Sequence, residues 1–384
     1  MKSILPFTEE HDKFREEYAQ FVEEFMVPNY NKWQLEDRQV PHSLYEEMGK
    51  RGYLCMWADK KYGGQERDFL YTVIEIQEQS RRGLGAVANW LHSDVVAPYV
   101  AQLAKPEVKD EIMPKLVSGE KLICICMTEP EHGSDLGAIE GRAVEDGDEY
   151  VINAHKIYTT NGMISDIAVV AAVTDPELGS KGISLFLVDL HADGVRREKL
   201  RKQGFHAQDT AEIWFENVRV NKKYMLGELN KGYGYLMMNL QHERTVAAQL
   251  AQGQAERAIE ITANWANERQ MFGKTLARMQ NTQFVMADMA TAADAGRALV
   301  DAVTINVMRG TATPRDVSEA KAYCTSKAFE VCDKGLQLCG GQGFCYEDAE
   351  IGRLFNDTRI QCFSAGTTEV MKLLIARDVL TPKK

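Results

Sequence analysis

The spacing of apolar residues changes twice along this chain, and this feature constrains the fold most strongly. Segment 9–25 repeats apolar residues every three or four positions, which is the period of one helix face. From Leu122 onward the pattern changes to short β-branched runs such as Ile167–Val173, which are divided by turns containing Gly, Asp and Asn. The helical period returns after Gly232 and continues to the end. The sequence therefore predicts helices, then strands, then helices.

These changes divide the chain into three predicted domains. Residues 1–121 form an N-terminal helical domain, 122–229 a compact antiparallel β domain, and 230–384 a helical bundle, so the fold class is mainly α with a central β domain. Alanine-rich seams in the last block are typical of helices that pack at shallow angles. The predicted helices are 9–25, 42–48, 68–81, 86–103, a short one after Pro106, 236–268, 280–309, 315–339 and 369–380. The predicted strands are 122–127, 150–152, 167–173, 182–188 and 213–220.

Charge and composition exclude several classes of partner. The formal net charge is −11, so we expect no basic surface that could bind a nucleic acid. No apolar run approaches the roughly 18–20 residues of a membrane-spanning helix, and acidic residues within the first ten positions argue against a signal peptide. The eight cysteines show no C-x-x-C spacing, which favours reduced thiols. We therefore expect a cytoplasmic protein that binds neither nucleic acid nor membrane.

Two short polar segments carry the strongest functional signal. The first is Met-Thr-Glu-Pro-Glu-His-Gly-Ser-Asp at 127–135, and the second is Lys-Ile-Tyr-Thr-Thr-Asn-Gly at 156–162. Glycines, hydroxyls and backbone N–H groups concentrated in this way suit the edge of a planar, polar, phosphate-bearing cofactor. Taken singly, each segment is better explained as a surface turn between strands.

Several short runs resemble well-known motifs, but the sequence around them does not fit those motifs. The Gly-Gly-Gln-Gly run at 340–343 follows a helix rather than a strand, so it does not match a dinucleotide fingerprint. The Gly-Lys-Thr run at 273–275 lacks the first glycine of a P-loop, because position 268 is Glu268. The eight histidines show no metal-binding spacing and there is no Gly-x-Ser-x-Gly elbow, so we predict no metal site and disfavour the common hydrolases.

In their order and spacing, the remaining motifs resemble those of the acyl-CoA dehydrogenase family over nearly all 384 residues. Segments 127–135 and 156–162 look like its two flavin-binding stretches, and 212–228 looks like the strand and turn that lead out of its β domain. Segments 269–273, 337–341 and 365–369 resemble its bundle motifs. The resemblance implies an N-terminal helical domain, a central β-barrel and a C-terminal four-helix bundle, assembled as a homotetramer. It also implies FAD as the cofactor and an acyl-CoA thioester as the substrate.

The resemblance assigns cofactor contacts residue by residue. Tyr158 would close over the isoalloxazine, where the family usually has a tryptophan, so the pocket there is expected to be roomier. Arg269 would meet the pyrophosphate across a subunit interface, and its planar donor fork suits a diphosphate. The full set of expected cofactor contacts is Met127, Thr128, Gly133, Ser134, Tyr158, Thr160, Arg269, Phe272, Gln280, Gln337, Gly341, Thr367 and Glu369.

The implied reaction needs a base that removes a Cα proton while a hydride leaves Cβ for flavin N5, and a desolvated carboxylate suits that role. Many family members carry this base immediately before the Gly-Thr pair, where this chain has Ala365. Glu243 is our candidate base, because branches resembling isovaleryl-CoA and long-chain acyl-CoA dehydrogenases place theirs at that position. The alternative is a solvated pair of Glu243 with Arg244. The expected substrate contacts are Ser134, Arg244, Ala365, whose N–H can polarise the thioester carbonyl, and Gly366.

Asp94 is the second candidate acid, on a helix that in this family helps to form the acyl pocket. A small branch dehydrogenates cyclic acyl-CoAs by 1,4-elimination, with an aspartate in the pocket and no glutamate at the usual site. The alternative is an exposed or hydrogen-bonded aspartate beside Ser93. A flavin- and acyl-binding member without dehydrogenase activity is a further possibility. An electron-transfer flavoprotein is the expected acceptor, and the sequence leaves open both the acyl group and the direction of the reaction.

Overall fold

The computed structural model describes residues 2–347 and 349–381, and it begins with a helical region. Helix α1 continues through a π-helical segment into α2 and a second π-helical segment, so the helix predicted for 9–25 extends to Asp37. The helices of this region are α1 (Glu9–Phe21), α2 (Val27–Lys32), α3 (His42–Lys50), α4 (Phe69–Ser80), α5 (Ala97–Leu103) and α6 (Pro106–Ser118), and the π-helical segments are Val22–Met26, Trp33–Asp37 and Leu91–Val96.

Aromatic side chains on α1 hold this region together. Phe14, Tyr18 and Phe21 are buried, and the ring centroids of Tyr18 and Tyr53 lie 5.1 Å apart in an edge-to-face arrangement. These are the residues that the period of three and four places on one helix face. Helix α4 begins where the Asp68 carboxylate accepts a hydrogen bond from its N-terminal turn, as an N-cap residue does.

The central region is an open sheet whose neighbouring strands are mostly antiparallel. The strand order is β6-β7-β3-β2-β4-β5-β8, and β1 pairs in parallel with β4. The end strands β6 and β8 do not pair with each other in the described residues, so the sheet is not closed into a barrel. The strands are β1 (Ile123–Cys126), β2 (Arg142–Asp146), β3 (Glu149–Thr160), β4 (Ile167–Val173), β5 (Ile183–Asp189), β6 (Val195–Lys199), β7 (Thr210–Asn221) and β8 (Met225–Leu226).

A bulge in β3 interrupts its pairing with β7. The register shifts between Lys156 and Thr159, and Tyr158 within this stretch takes a positive φ of 60°. A bulge redirects a side chain out of the alternating pattern of a strand. As a result, Tyr158 is 66% exposed, whereas Lys156 and Thr159 are buried.

The last region is a helical bundle centred on α9, which packs against the other four helices. Small residues of α7 such as Ala248, Ala251, Ala255 and Ala258 are buried in its core, as the alanine-rich seams predicted. The elements are α7 (Gly232–Glu268), α8 (Gln280–Met308), α9 (Pro314–Phe344), α10 (Glu350–Gln361) and α11 (Thr368–Leu380), with a small hairpin of β9 (Gln270–Met271) and β10 (Lys274–Thr275) between α7 and α8.

The predicted order of helices, sheet and helices is confirmed, whereas α10 and the strands β2, β6, β8, β9 and β10 were not predicted. Strands β2 and β6 are short and largely exposed, and α10 contains Gly352, Asn356 and Thr358, which favour helices weakly. Contacts with α7 and α9 stabilise α10 instead. The domain limits 1–121, 122–229 and 230–384 and the homotetramer stay predictions. No helix in the described ranges combines the length and the hydrophobicity that crossing a bilayer requires.

Candidate active site

The two polar segments of the sequence lie side by side in the β region. The backbone N–H of Ile157 donates a hydrogen bond of 3.0 Å to the carbonyl oxygen of Thr128. The Lys156 ammonium donates to the carbonyl oxygen of Met127 at 3.2 Å. These contacts join the end of β1 to the bulged end of β3, so the segments form one surface rather than two separate turns.

A buried ion pair fixes the shape of this surface. Lys156 is fully buried and donates to the Glu129 carboxylate at 2.8 Å. The same carboxylate accepts hydrogen bonds from the backbone N–H groups of Glu140 at 2.6 Å and Gly141 at 2.9 Å. Burial pushes the pKa of Glu129 upward, but the charge of Lys156 and these donors outweigh it, so that pKa lies below its usual value. Glu129 and Lys156 thus hold the loop that follows β1.

The groups predicted to contact a cofactor line the open side of this surface. Gly133 and Ser134 are exposed, and a side chain at Gly133 would meet only a methyl group of Thr128, at 3.9 Å. The hydroxyls of Thr128, Ser134 and Thr160 have no hydrogen-bond partner among the described residues. They are therefore available to a ligand.

This loop approaches the start of the bundle. A Cβ added to Gly137 would lie 3.8 Å from the Tyr233 ring, which is in the first turn of α7. The side chain of Met127 packs against an apolar cluster that contains Tyr99 and Leu236. The β-region surface and the first turns of α7 therefore lie next to each other.

Glu243 lies on α7 among groups from three helices. Burial raises its pKa to about 7, while the positive charges of Arg244 and of Lys321 on α9 oppose the rise. Burial, and then the negative charge of Glu243, raise the pKa of Tyr99 on α5. Glu243 keeps some accessible surface, so a ligand can reach a carboxylate that has lost most of its hydration. It is not the solvated surface pair that was the alternative.

The turn before α11 is held by the same two cations. The Arg244 guanidinium donates to the carbonyl oxygen of Ala365 at 3.4 Å, and the Lys321 ammonium donates to that of Gly366 at 2.6 Å. Ala365 and Gly366 have positive φ values of 51° and 93°. Thr367 then caps α11 by accepting from the N–H of Val370 at 3.2 Å. The predicted substrate contacts of the bundle are therefore brought together.

Asp94 lies in the N-terminal region, in the π-helical segment Leu91–Val96. It is buried and accepts a hydrogen bond of 2.6 Å from the Thr72 hydroxyl. Burial raises its pKa to about 7, although the bond from Thr72 acts in the opposite direction. Its negative charge also raises the pKa of the buried Glu75, after the larger effect of burial. Asp94 is thus not exposed, but it is hydrogen-bonded, as the alternative expected, with Thr72 as the donor.

The remaining predicted cofactor contacts lie at the far end of the bundle. Arg269 begins the β9–β10 hairpin, and its guanidinium makes no ion pair within the described ranges. Phe272 is 90% exposed at the hairpin turn, and the Trp265 indole donates to the carbonyl oxygen of Leu338, joining this end of α7 to α9. Gln280, Gln337 and Gly341 are exposed. Among the described residues, no hydrogen bond, ion pair or ring contact connects this end of the bundle to Tyr158.

The sequence did not single out Lys321 or Tyr99. Lys321 is fully buried on α9, on a face that also buries Val317, Ala320 and Cys324, and a lysine at such a position was the available signal. Lys156 belonged to a predicted motif, but its ion pair with Glu129 was not foreseen. Among the described residues, no group of three or more His, Cys, Asp or Glu has an arrangement that could hold a metal ion.

Three domain descriptions of one family match consecutive parts of the chain. "Acyl-CoA dehydrogenase, N-terminal domain" matches residues 8–120, the middle domain 124–218, and the C-terminal domain 230–380. The chain belongs to the acyl-CoA dehydrogenase family. It is an FAD-dependent oxidoreductase of acyl-CoA thioesters, which confirms the predicted class of enzyme and cofactor.

Individual relatives cover nearly the whole acyl-CoA dehydrogenase chain. The mitochondrial long-chain specific acyl-CoA dehydrogenase of Rattus norvegicus is 37% identical over 378 residues, which are 98% of this chain and 87% of that protein. A 3-(aryl)acrylate reductase of Clostridium sporogenes is 32% identical over 378 residues, 97% of this chain and 99% of the reductase. The crystal structure of an acyl-CoA dehydrogenase from Geobacillus kaustophilus has a TM-score of 0.96 and 41% identity, with 99% of this chain and all of that chain covered.

The residues of this chain fit FAD. The β-region surface offers free hydroxyls, and space beside Gly133 lets a ring approach the backbone. The guanidinium of Arg269, which lies over the Trp265 ring at 5.9 Å and makes no ion pair among the described residues, is a donor for a diphosphate on a protein whose net charge is −11. The hydroxyls of the β-region surface and the guanidinium of Arg269 lie in different parts of one chain. A ligand as extended as FAD would need donors of both kinds.

Proposed function

We propose that Glu243 is the base that removes the Cα proton from an acyl-CoA thioester. The observation that supports this most is the Glu243 carboxylate itself, which is largely desolvated, has a pKa of about 7 and is electrostatically coupled to the cations of the Ala365–Gly366 turn. Ala365 carries no proton acceptor, so this turn contributes only backbone groups. A base whose pKa lies near the working pH combines an ionised fraction with a useful proton affinity.

The surrounding charges suit the ionised form of Glu243. At a pKa of about 7 the carboxylate is about half ionised at pH 7 and about nine-tenths ionised at pH 8. Arg244 and Lys321 favour this form, while burial keeps its proton affinity high. The N–H of Ala365 has no partner in the described residues, so it is free to polarise the thioester carbonyl and acidify the Cα proton.

The candidate cofactor contacts keep the roles that the resemblance implied, as proposals. Met127, Thr128, Gly133, Ser134, Tyr158 and Thr160 would border the isoalloxazine, Arg269, Phe272, Gln280, Gln337 and Gly341 would hold the pyrophosphate and adenine of a neighbouring subunit, and Thr367 and Glu369 would border the reacting end. When bound, FAD supplies the acceptor for the hydride that leaves Cβ. The exposed aromatic side chains of Tyr158 and Phe272 support these assignments, because a bound ring would cover them.

A 1,4-dehydrogenation of a cyclic acyl-CoA with Asp94 as the base is the second candidate. It is favoured by the burial of Asp94 and by its pKa of about 7, which matches that of Glu243. It is disfavoured by the hydrogen bond from Thr72, which already occupies one oxygen of the carboxylate. Glu243 is therefore the stronger assignment.

We further propose an electron-transfer flavoprotein as the electron acceptor and a homotetramer as the assembly. One relative is named as a subunit of a caffeyl-CoA reductase-Etf complex, which supports the first of these proposals. Another relative is a 3-(aryl)acrylate reductase, so the relatives of this chain include both dehydrogenases and reductases. Dehydrogenation is the direction that we propose for this chain.

Mixing the FAD-loaded protein with acyl-CoAs of different length, branching and ring structure tests the base. We expect the flavin absorbance to bleach in the wild type and in Asp94→Asn with acyclic thioesters, and to persist in Glu243→Gln. Both variants should retain FAD, because neither side chain is among its proposed contacts. Bleaching by Glu243→Gln at the wild-type rate would refute the assignment, and bleaching only by cyclic thioesters with loss in Asp94→Asn would establish the second candidate.

A further inference from the structure

Lys321 is a buried charge that the proposed proton transfer does not use. Its side chain is fully buried on α9, where Val317, Ala320 and Cys324 are its buried neighbours. Removing an ammonium group from water is costly unless it is hydrogen-bonded and paired. Its recorded hydrogen bond, 2.6 Å long, goes to the carbonyl oxygen of Gly366, 45 residues away. Lys321 is therefore a buried lysine that is hydrogen-bonded to the backbone of the turn before α11.

The turn that Lys321 contacts has an unusual backbone. Ala365 and Gly366 both have positive φ, a region that non-glycine residues rarely adopt. Arg244 binds the first carbonyl oxygen of this turn and Lys321 binds the second. Two cations on neighbouring helices thus hold two successive peptide groups.

The orientation of the peptide groups follows from their planarity. In a trans peptide the N–H points away from the C=O, so the N–H groups of Gly366 and Thr367 face away from the two cations. The N–H groups of Ala365, Gly366 and Thr367 have no hydrogen-bond partner among the described residues. Successive N–H groups left free by a turn of this kind form a concave site for an oxygen that carries negative charge.

We infer that Lys321 is a positioning residue, which holds the 365–367 turn so that its free N–H groups receive the thioester carbonyl. The inference rests on the proposed function, because that reaction places the thioester at this turn. Lys321 does not touch the substrate in this account. It acts through the carbonyl oxygen of Gly366, and its charge also polarises the peptide whose N–H belongs to Thr367.

The charges around Lys321 support a second effect on Glu243. The groups that interact with the ammonium are Cys362, Arg244, Glu243 and Glu369. Glu243 in turn interacts with Arg244 and Lys321, and its own charge acts on the phenol of Tyr99. Because Lys321 opposes the rise in the pKa of Glu243, removing its charge should move the acid limb of the kcat/KM profile to higher pH.

Binding experiments in the FAD-loaded Glu243→Gln background separate positioning from proton transfer. Lys321→Met should weaken octanoyl-CoA and palmitoyl-CoA about tenfold, the equivalent of one lost hydrogen bond, because the turn is no longer held. Binding of free CoA, which has no thioester carbonyl, should stay unchanged. Lys321→Arg keeps a charged donor and should restore most of the affinity. Lys327→Met is the matched control on the same helix, since Lys327 is partly exposed and pairs with Glu330.

Hydrogen exchange gives a readout that does not depend on activity. The amides of Thr368 and Val370, which donate to the Cys362 carbonyl and the Thr367 hydroxyl where the turn meets α11, should exchange faster in Lys321→Met than in the wild type or in Lys327→Met, while α9 stays protected. Unchanged acyl-CoA affinity together with unchanged exchange of these amides would overturn the inference about Lys321. If Lys321→Met does not fold by circular dichroism, Lys321→Gln replaces it, and equal acyl-CoA affinity of Lys321→Gln and Lys321→Arg would likewise overturn the role of the charge.

These outcomes are distinct from a failure of the proposed base. If Glu243→Gln alone keeps its turnover, Glu243 is not the base, yet weaker acyl-CoA binding and faster exchange in Lys321→Met would still support positioning. If Glu243→Gln is inactive and the added Lys321→Met substitution changes neither the acyl-CoA affinity nor the exchange of these amides, the base stands and the inference about Lys321 fails.

Discussion

Replacing Lys156 by methionine should destabilise the β region strongly, because it leaves Glu129 buried without its cation. Lys156 is fully buried and Glu129 is 6% exposed. Removing one partner of a buried ion pair costs about 3–5 kcal/mol. The two backbone N–H bonds to Glu129 remain, so we expect a loss near the lower limit, about 3 kcal/mol of unfolding free energy.

The assay is urea unfolding followed by circular dichroism, with FAD in the same saturating excess for every variant. Lys181→Met is the matched control, because Lys181 is an exposed lysine of the same region and should change the stability by less than about 0.5 kcal/mol. The double variant Lys156→Met with Glu129→Gln should lose less than the sum of the single variants, since the unpaired charge is gone. A loss below about 1 kcal/mol in Lys156→Met would refute the reasoning.

The pH dependence gives the same prediction a second test. The pKa of Glu129 is lower in the folded protein than in the unfolded chain. Its contribution to the free energy of unfolding is therefore fully present above the unfolded pKa, and it is lost as the pH falls through the folded pKa. Below that pH the carboxyl group is neutral in both proteins. The stability difference between wild type and Lys156→Met should therefore shrink in acid.

Three further predictions concern other parts of the molecule. Asp94→Asn should flatten the pH dependence of stability between about pH 4 and pH 7. The folded pKa of Asp94 is raised, so its contribution to the free energy of unfolding falls by about 1.4 kcal/mol for each unit by which the pH rises in that window, as urea titrations at several pH values would show. Asp301→Ala should cost about 3 kcal/mol and speed proteolysis before α1, because buried Asp301 binds both Arg297 and the Ser3 hydroxyl; unchanged cleavage would contradict this. Gly366→Ala should weaken acyl-CoA binding in calorimetry, because its Cβ would lie 2.9 Å from a methyl group of α11 at a φ of 93°, and wild-type affinity would contradict it.

The sequence predicted those parts of the fold that depend on local patterns. Apolar spacing identified most helices and five strands, and the β-branched run Ile167–Val173 is a strand with those limits. The polar segments at 127–135 and 156–162 were both identified as flavin-binding stretches, and the hydrogen bond between Ile157 and Thr128 joins them. These features depend on residues close in sequence or on a recognisable motif.

Features set by distant contacts could not be predicted in this way. Helix α10 has weak intrinsic propensity and depends on packing against α7 and α9. The bulge that exposes Tyr158 is a property of the pairing of β3 with β7. The bond between Lys321 and Gly366 joins residues 45 positions apart, and an isolated lysine in a helix normally indicates a solvated position.

Exchange of the Cα protons of an acyl-CoA with deuterium oxide tests the central claim most directly. With FAD-loaded protein and no electron acceptor, the wild type and Asp94→Asn should incorporate deuterium at Cα, as mass spectrometry of the recovered thioester would show. Glu243→Gln should incorporate about a hundredfold less, the lower limit for the loss of a general base. Incorporation by Glu243→Gln at the wild-type rate would show that another group takes the proton.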